Sequence, residues 1–146
     1  MAEGRDERAA PRPDPDKGPR WIPRRVIESA HLDQLREHGG LPGIRDENAL
    51  ESALARPRNR WLYEPESDVA TLTAAYAFGL ARNHSFNDGN KRIALLAAVT
   101  FLVMNGFDLD ATEPEVVQII LALAAGEQPE DELADWLRGR IVPLSR

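Results

Sequence analysis

The sequence contains no cysteine and no long hydrophobic run. Because none of its 146 residues is cysteine, disulfides, thiol nucleophiles and thiolate metal sites are excluded. The longest apolar run spans residues 93–104, fewer than the roughly 18 residues that a transmembrane helix needs. The first 19 residues hold charges and prolines where a signal peptide would need an apolar stretch. These absences predict a soluble protein that stays in the cytoplasm, with no membrane partner.

An excess of positive charge is also lacking. The formal net charge is -6 and aromatic residues make up 6%, which argues against a basic, aromatic surface for nucleic acid. Any anion site must therefore be local and built from a few placed cations.

Proline is concentrated near the start of the chain. Residues 1–20 contain Pro11, Pro13, Pro15 and Pro19 among charged and small residues, a composition that cannot bury enough apolar surface to fold. We therefore expect a disordered tail over residues 1–20 and a single domain over residues 21–146.

Within that domain, apolar residues at three- and four-residue spacing predict an all-α fold of about six helices. Asp46 and Ser67 are placed to cap the second and third helices. Residues 93–104 are apolar almost all round, which predicts that the fourth helix is the buried centre of the fold. The six helices are expected to span about residues 23–38, 46–56, 67–82, 89–105, 116–125 and 131–137.

Residues 57–67 have no helical period and contain two prolines. This composition predicts that Pro57 ends the second helix and that a loop or short hairpin follows. Three apolar residues, Trp61, Leu62 and Tyr63, either pack into the core or line a groove for a partner.

The polar run His84-Ser-Phe-Asn-Asp-Gly-Asn-Lys-Arg92 separates two apolar helices. Lys91 and Arg92 fall in the first turn of the fourth helix, where the helix dipole disfavours cations unless an anion binds there. Free backbone N–H groups, Lys91 and Arg92 would together hold a phosphate, and Gly89 would let the backbone approach it closely. The run therefore predicts a phosphate-binding loop.

Two further residues of the run suit catalysis. His84 can be neutral near pH 7 and accept a hydroxyl proton, and Asp88 is a hard oxygen ligand suited to Mg²⁺ beside phosphates. Structural alternatives exist for each: His84 as a helix cap, Asp88 as an N-cap, and the two cations as a solvated face. The run is not a P-loop, because it lacks the earlier glycine and the Ser/Thr after Lys91. His31, His38 and His84 are too scattered for a transition-metal site.

The run resembles the motif H-P-F-x-x-G-N-G-R of the Fic/Doc family, and Lys91 in place of the second glycine is similar to its death-on-curing (Doc) toxin branch. Segments on both sides resemble Doc-type sequences in the same order: Gly39-Gly-Leu-Pro-Gly-Ile-Arg-Asp46, Leu50-Glu-Ser-Ala-Leu-Ala-Arg-Pro57, Ala81-Arg-Asn-His84 and Phe101-Leu-Val-Met-Asn-Gly106. The resemblance covers roughly residues 22–140.

The resemblance implies a Fic/Doc fold and a role for each residue of the loop. His84 would be the general base on a Ser or Thr hydroxyl, Asp88 would hold Mg²⁺, and Asn90, Lys91 and Arg92 would bind the nucleotide phosphates. It further implies a toxin that transfers the terminal phosphate of ATP to a protein, with elongation factor Tu as target and a Phd-like antitoxin as partner.

Two residues depart from the family pattern. Ser85 replaces the usual proline, which is expected to loosen the loop. Leu95 replaces a second arginine of AMP-transferring members, which favours the kinase over AMP transfer. The family's inhibitory motif, Ser/Thr-x-x-x-Glu-Gly/Asn, is not found, so restraint would come from a separate antitoxin. Transfer of AMP by the same site and a catalytically idle interaction module remain as alternatives.

Overall fold

A computed structural model describes residues 11–14 and 17–145, which form six helices and one small sheet. The predicted all-α fold with about six helices is confirmed. The short antiparallel strands were not predicted, and they pair Phe107 with Pro143 and Leu109 with Ile141. The elements are α1 (Arg24–His38), α2 (Glu47–Tyr63), α3 (Val69–Arg82), α4 (Asn90–Met104), β1 (Phe107–Leu109), α5 (Glu113–Ala124), α6 (Glu130–Arg138) and β2 (Ile141–Pro143).

The buried centre of the fold is α3, and α2, α4, α5 and α6 all pack against it. Eleven of its 14 residues are buried. The prediction that residues 93–104 form the central helix is therefore wrong, because Leu96 and Val103 of α4 are 36% and 43% exposed. Helix α3 is more buried than α4 because its small residues let neighbouring helices approach closely. A β-carbon at Gly79 of α3 would lie 3.1 Å from the backbone of Ala53 in α2, which shows how closely these two helices pack.

Helix α2 continues through Pro57 to Tyr63, so the predicted helix end at Pro57 and the predicted loop over residues 57–67 are wrong. A proline inside a helix costs about 3 kcal/mol. Pro57 is itself buried, and Trp61 one turn later packs against the core, so burial of this helix face offsets the penalty. Leu62 and Tyr63 remain 73% and 85% exposed.

Side-chain caps define the starts of α2 and α3. Asp46 accepts a hydrogen bond from the Ala49 N–H at 3.1 Å, which confirms it as the cap of α2. For α3 the cap is Asp68, which accepts from the Thr71 N–H at 2.9 Å, and not the predicted Ser67. A neighbouring carboxylate is the better acceptor at a helix N-terminus, because it also interacts favourably with the helix dipole.

Part of the segment predicted as a tail contacts the domain. Pro13 is buried, and the Pro11 carbonyl accepts a hydrogen bond from the Val69 N–H at 2.9 Å. Residues 1–10, 15 and 16, on which the rest of that prediction falls, lie outside the described residues, as does residue 146. Within residues 11–14 and 17–145, no helix is both long and apolar enough to cross a bilayer.

The Asp68 carboxylate joins α3 to α6 through Arg138. Arg138 donates from Nε to Oδ2 at 2.7 Å, and the two side chains are only 15% and 23% exposed. Burial alone would raise the pKa of Asp68, but hydrogen bonds from Arg138 and Thr71 outweigh it and lower that pKa below its ordinary value. The stabilisation from ionised Asp68 is therefore present above the unfolded-state pKa and is lost as the pH falls through the lower folded-state pKa.

Asp68→Asn should lower the free energy of unfolding by about 1–2 kcal/mol at pH 7. Asparagine still offers a cap oxygen to Thr71 but leaves Arg138 with the exposed Asp135 as its remaining counter-charge. Urea unfolding of both proteins at pH 7 and at about pH 3, below the usual aspartate pKa, measures the effect. The difference should shrink at the lower pH, and an equal difference at both values would contradict the ionic origin.

Candidate active site

The loop over residues 84–89 connects the C-terminus of α3 to the N-terminus of α4, and it is anchored at Phe86. The Phe86 ring is buried and stacks on His31 of α1, with ring centroids 3.9 Å apart. Phe86 also pairs with Ile44 in an isolated antiparallel bridge. The carbonyl of buried Ser85 accepts from the Arg45 N–H at 2.8 Å, so the loop is tied down without a proline.

His84 lies at the end of α3, one residue beyond the C-cap Asn83. It is exposed and has a φ of 53°, the one positive value found for a non-glycine residue in the described ranges. Left-handed backbone costs an ordinary residue about 1–2 kcal/mol. Glycine is the usual residue at this position after a helix, so histidine here is retained at a cost in stability.

His84→Gly is therefore expected to stabilise the fold by about 1 kcal/mol. The exposed imidazole contributes little packing, and glycine adopts the left-handed conformation without strain. Thermal unfolding of the wild type and of His84→Gly measures the gain. A His84→Gly protein that is less stable than wild type would show that the imidazole makes a structural contribution.

The N-terminus of α4 presents free backbone donors. Gly89 is the N-cap with φ 80° and ψ 15°, and the first helical hydrogen bond runs from the Ile93 N–H to the Gly89 carbonyl. The N–H groups of residues 90–92 precede that bond and have no partner within the helix. A left-handed residue followed by a helical one also arranges successive N–H groups into a concave anion-binding nest.

Two cations stand at this helix end. Lys91 and Arg92 are exposed, and among the residues that the structure describes neither forms an ion pair. The chain carries 24 acidic against 18 basic residues, so carboxylates are abundant, yet in the described part of the chain none of them pairs with Lys91 or Arg92. The positive charge of Lys91 and Arg92 adds to that of the helix dipole and makes this end of α4 attractive to an anion.

Asn90 and Asp88 are held by the surrounding backbone. The side-chain amide of Asn90 accepts from the Phe86 N–H at 3.0 Å and donates to the Phe86 carbonyl at 2.9 Å. The side chain therefore holds the loop in place, and the backbone N–H is the group that Asn90 offers to an anion. Asp88 Oδ2 accepts from the Leu41 N–H at 2.8 Å. The alternative role of Asp88 as N-cap is wrong, because Gly89 occupies that position and no side chain caps α4.

A cleft of about 680 Å³ brings together all six residues that the motif predicted for the site. These residues are His84, Asp88, Gly89, Asn90, Lys91 and Arg92. The opposite wall is apolar, and only Leu95 among its residues was singled out from the sequence. It consists of Ala81, Leu95, Val117, Ile120, Leu121 and Ala124.

The missed wall residues come mainly from α5. In the sequence they are four apolar positions of an amphipathic helix, which on spacing alone belong to the core. In the structure Val117 and Leu121 are 38% and 49% exposed. An apolar wall facing a few placed polar groups is typical of small-molecule sites, and the volume lies in their usual range of about 300–1,000 Å³.

Comparison with known proteins agrees with this geometry. A model of the Fic/DOC family matches residues 21–102. The chain is 35% identical over 119 residues to "Protein kinase doc" of Escherichia phage P1, which covers 82% of this chain and 94% of that protein. It is 40% identical over 82 residues to "Toxin Doc" of Mycolicibacterium smegmatis, which covers 51% of this chain and 63% of that protein. The chain therefore belongs to the Fic/DOC family.

Proposed function

We propose that this chain is a toxin-type protein kinase that transfers the terminal phosphate of ATP to a Ser or Thr hydroxyl of a target protein. The observation that carries the proposal is one cleft in which His84 lies with the unpaired cations Lys91 and Arg92 at the N-terminus of α4. The relative named "Protein kinase doc", which aligns over 94% of its length, supports the same activity.

The phosphates of ATP would bind at the N-terminus of α4. The N–H groups of residues 89–92 supply hydrogen bonds without rearrangement, and Arg92 can grip two phosphate oxygens with its planar guanidinium. Lys91 acts as a compact charge on the same group. The base and ribose would lie along the apolar wall of Leu95, Val117 and Leu121.

His84 would act as the general base. Its neutral imidazole takes the proton of the target hydroxyl as the hydroxyl oxygen forms a bond to the terminal phosphorus. The bond between that phosphorus and the bridging oxygen breaks, and ADP leaves with the electron pair. Because His84 is exposed at the cleft edge and has a backbone fixed by the end of α3, a protein segment can reach it from solvent.

The donors beside the phosphates fit a magnesium ion. Asp88 lines the cleft, and Leu41 engages one of its carboxylate oxygens, which leaves Oδ1 for a cation. No cluster of three acidic or histidine side chains exists in the described ranges, and magnesium is commonly held by one or two carboxylates plus substrate phosphates. When bound, the ion would neutralise part of the phosphate charge.

Transfer of AMP by the same loop is the second candidate, and Leu95 is the observation that separates the two. Leu95 lies in the cleft wall one turn after Lys91, so α4 offers no further cation deeper in the cleft. A phosphate chain is then held at the helix end alone, which favours transfer of the terminal group.

For the biological setting, the proposal includes elongation factor Tu as the target, a Phd-like antitoxin as the restraining partner, and the cytoplasm as the place of action. The likeness to a relative named "Toxin Doc" supports action as a toxin, and the target and the antitoxin are what the Doc-type motif implies. A toxin without restraint inhibits growth of its own cell, so a separate protein partner is required.

Mass spectrometry of the target tests the proposal. Purified elongation factor Tu is incubated with this protein, ATP and magnesium, and a His84→Ala protein serves as control. We expect one added phosphoryl group on a Ser or Thr with the wild type only. An added adenylyl group would establish AMP transfer, and no addition to this target or to any protein of a cell extract would overturn both activities.

A further inference from the structure

The side chain of His31 lies beneath the loop and contacts it in two ways. Its ring stacks on Phe86, with 17° between the planes, and its Nε2 lies 2.7 Å from the carbonyl oxygen of Asp88. His31 is 2% exposed, so water does not compete for this hydrogen bond. The motif does not include His31, which is 57 residues away from Asp88 in sequence.

The hydrogen bond determines the tautomer of His31. A carbonyl oxygen can only accept, so Nε2 must carry the proton and donate it. The Asp88 carbonyl is thereby held toward α1, on the inner side of the loop. A β-carbon at Gly89 would lie 3.4 Å from the same Nε2 atom, so the ring and the glycine fit closely.

This arrangement also sets the direction of the next N–H group. The peptide bond between Asp88 and Gly89 is trans, as are all peptide bonds in the described ranges, and the C=O and N–H of a trans peptide point in opposite directions. With the carbonyl held toward His31, the Gly89 N–H points away from α1. Gly89 itself lines the cleft and begins the nest at the N-terminus of α4.

We propose that His31 is a positioning residue, which aims the Gly89 N–H at the nucleotide phosphate through its hydrogen bond to the Asp88 carbonyl. The inference rests on the proposed function, since it concerns the same phosphate site. Without the bond, the Asp88–Gly89 peptide unit can rotate, and the helix end loses the first of its four free donors, the N–H groups of residues 89–92. The buried imidazole thus acts on the phosphate without touching it.

Three variants separate the hydrogen bond from packing. His31→Phe keeps a ring on Phe86 and removes the donor, whereas His31→Gln keeps an N–H donor on a planar group. Gln34→Met is the matched control, because Gln34 is a buried neighbour on the same helix whose Oε1 would lie 3.7 Å from a β-carbon at Gly89. The probe is inorganic tripolyphosphate, and its affinity is measured by calorimetry beside the thermal stability of each protein.

His31→Phe should weaken tripolyphosphate binding by about 10-fold, the usual effect of one hydrogen bond to a charged group. His31→Gln should restore most of the affinity, and Gln34→Met should bind as the wild type does. Wild-type affinity in His31→Phe, or an equal loss in His31→Gln, would overturn the inference. If the wild type binds no tripolyphosphate, the inference is overturned together with the phosphate site and the proposed function.

A measurement on the wild-type protein decides the matter if a variant does not fold. Nuclear magnetic resonance should find the proton of His31 on Nε2, and tripolyphosphate should shift the Gly89 amide proton strongly downfield. A proton on Nδ1 alone, or an unchanged Gly89 amide in the complex, would overturn the inference while leaving binding at residues 90–92 intact.

Discussion

Replacing His84 with alanine is expected to lower kcat for phosphoryl transfer by a factor of about 10²–10⁴, the usual contribution of a general base. Affinity for ATP should change little, because the proposed phosphate donors lie on α4 and not on His84. Initial rates with labelled ATP and a purified target give kcat, and calorimetry gives the ATP affinity. A folded His84→Ala protein with unchanged kcat would remove His84 from the chemistry.

The left-handed backbone at His84 provides an internal control for this result. His84→Gly should lose activity as fully as His84→Ala and yet unfold at a higher temperature, because glycine relieves the strain at φ 53°. A loss of activity that accompanies a gain in stability cannot arise from misfolding. Strained backbone is often found at functional sites, where the chemistry of the side chain outweighs the cost.

That the residues of the candidate site lie together in one cleft could be predicted from the sequence because they are contiguous. His84 to Arg92 lie in one loop whose position between two helices follows from the apolar spacing on either side. Local chemistry was also enough for the cap at Asp46, where an acceptor and the N–H it binds are three residues apart. Such features depend on residues that are close in sequence, so the tertiary fold does not alter them.

The parts that could not be predicted depend on contacts between distant residues. Continuation of α2 through Pro57 is driven by burial against α3, which outweighs the local preference to end the helix. Helix α3 is the central helix because small residues such as Gly79 let its neighbours pack closely against it. The hydropathy of a sequence does not show how closely two helices can pack, so it could not distinguish α3 from α4. His31 and the α5 wall reach the site only through the tertiary fold.

Arg92→Ala is expected to lower kcat/KM for ATP by about 10²–10³, because a guanidinium that grips two phosphate oxygens makes two charge-assisted hydrogen bonds. Arg92 is exposed, has no ion-pair partner in the described part of the chain, and lines the cleft. Arg92→Lys should recover only part of the loss, since lysine keeps the charge and lacks the fork. Steady-state kinetics on all three proteins measures these effects.

The same substitution should act on stability in the opposite direction. Without a bound anion, the positive charge of Arg92 opposes the dipole at the N-terminus of α4, so Arg92→Ala should raise the free energy of unfolding by about 0.3–1 kcal/mol at low salt. ATP should stabilise the wild type more than Arg92→Ala, because the stabilisation by a ligand grows with the logarithm of the ratio of its concentration to Kd. Arg25→Ala, an exposed arginine in the first turn of α1 and outside the cleft, is the matched control: it should raise the free energy of unfolding to a similar extent and leave the stabilisation by ATP unchanged. An Arg92→Ala protein that is less stable than wild type without ATP, and equally stabilised by it, would show that Arg92 supports the fold and not the phosphate.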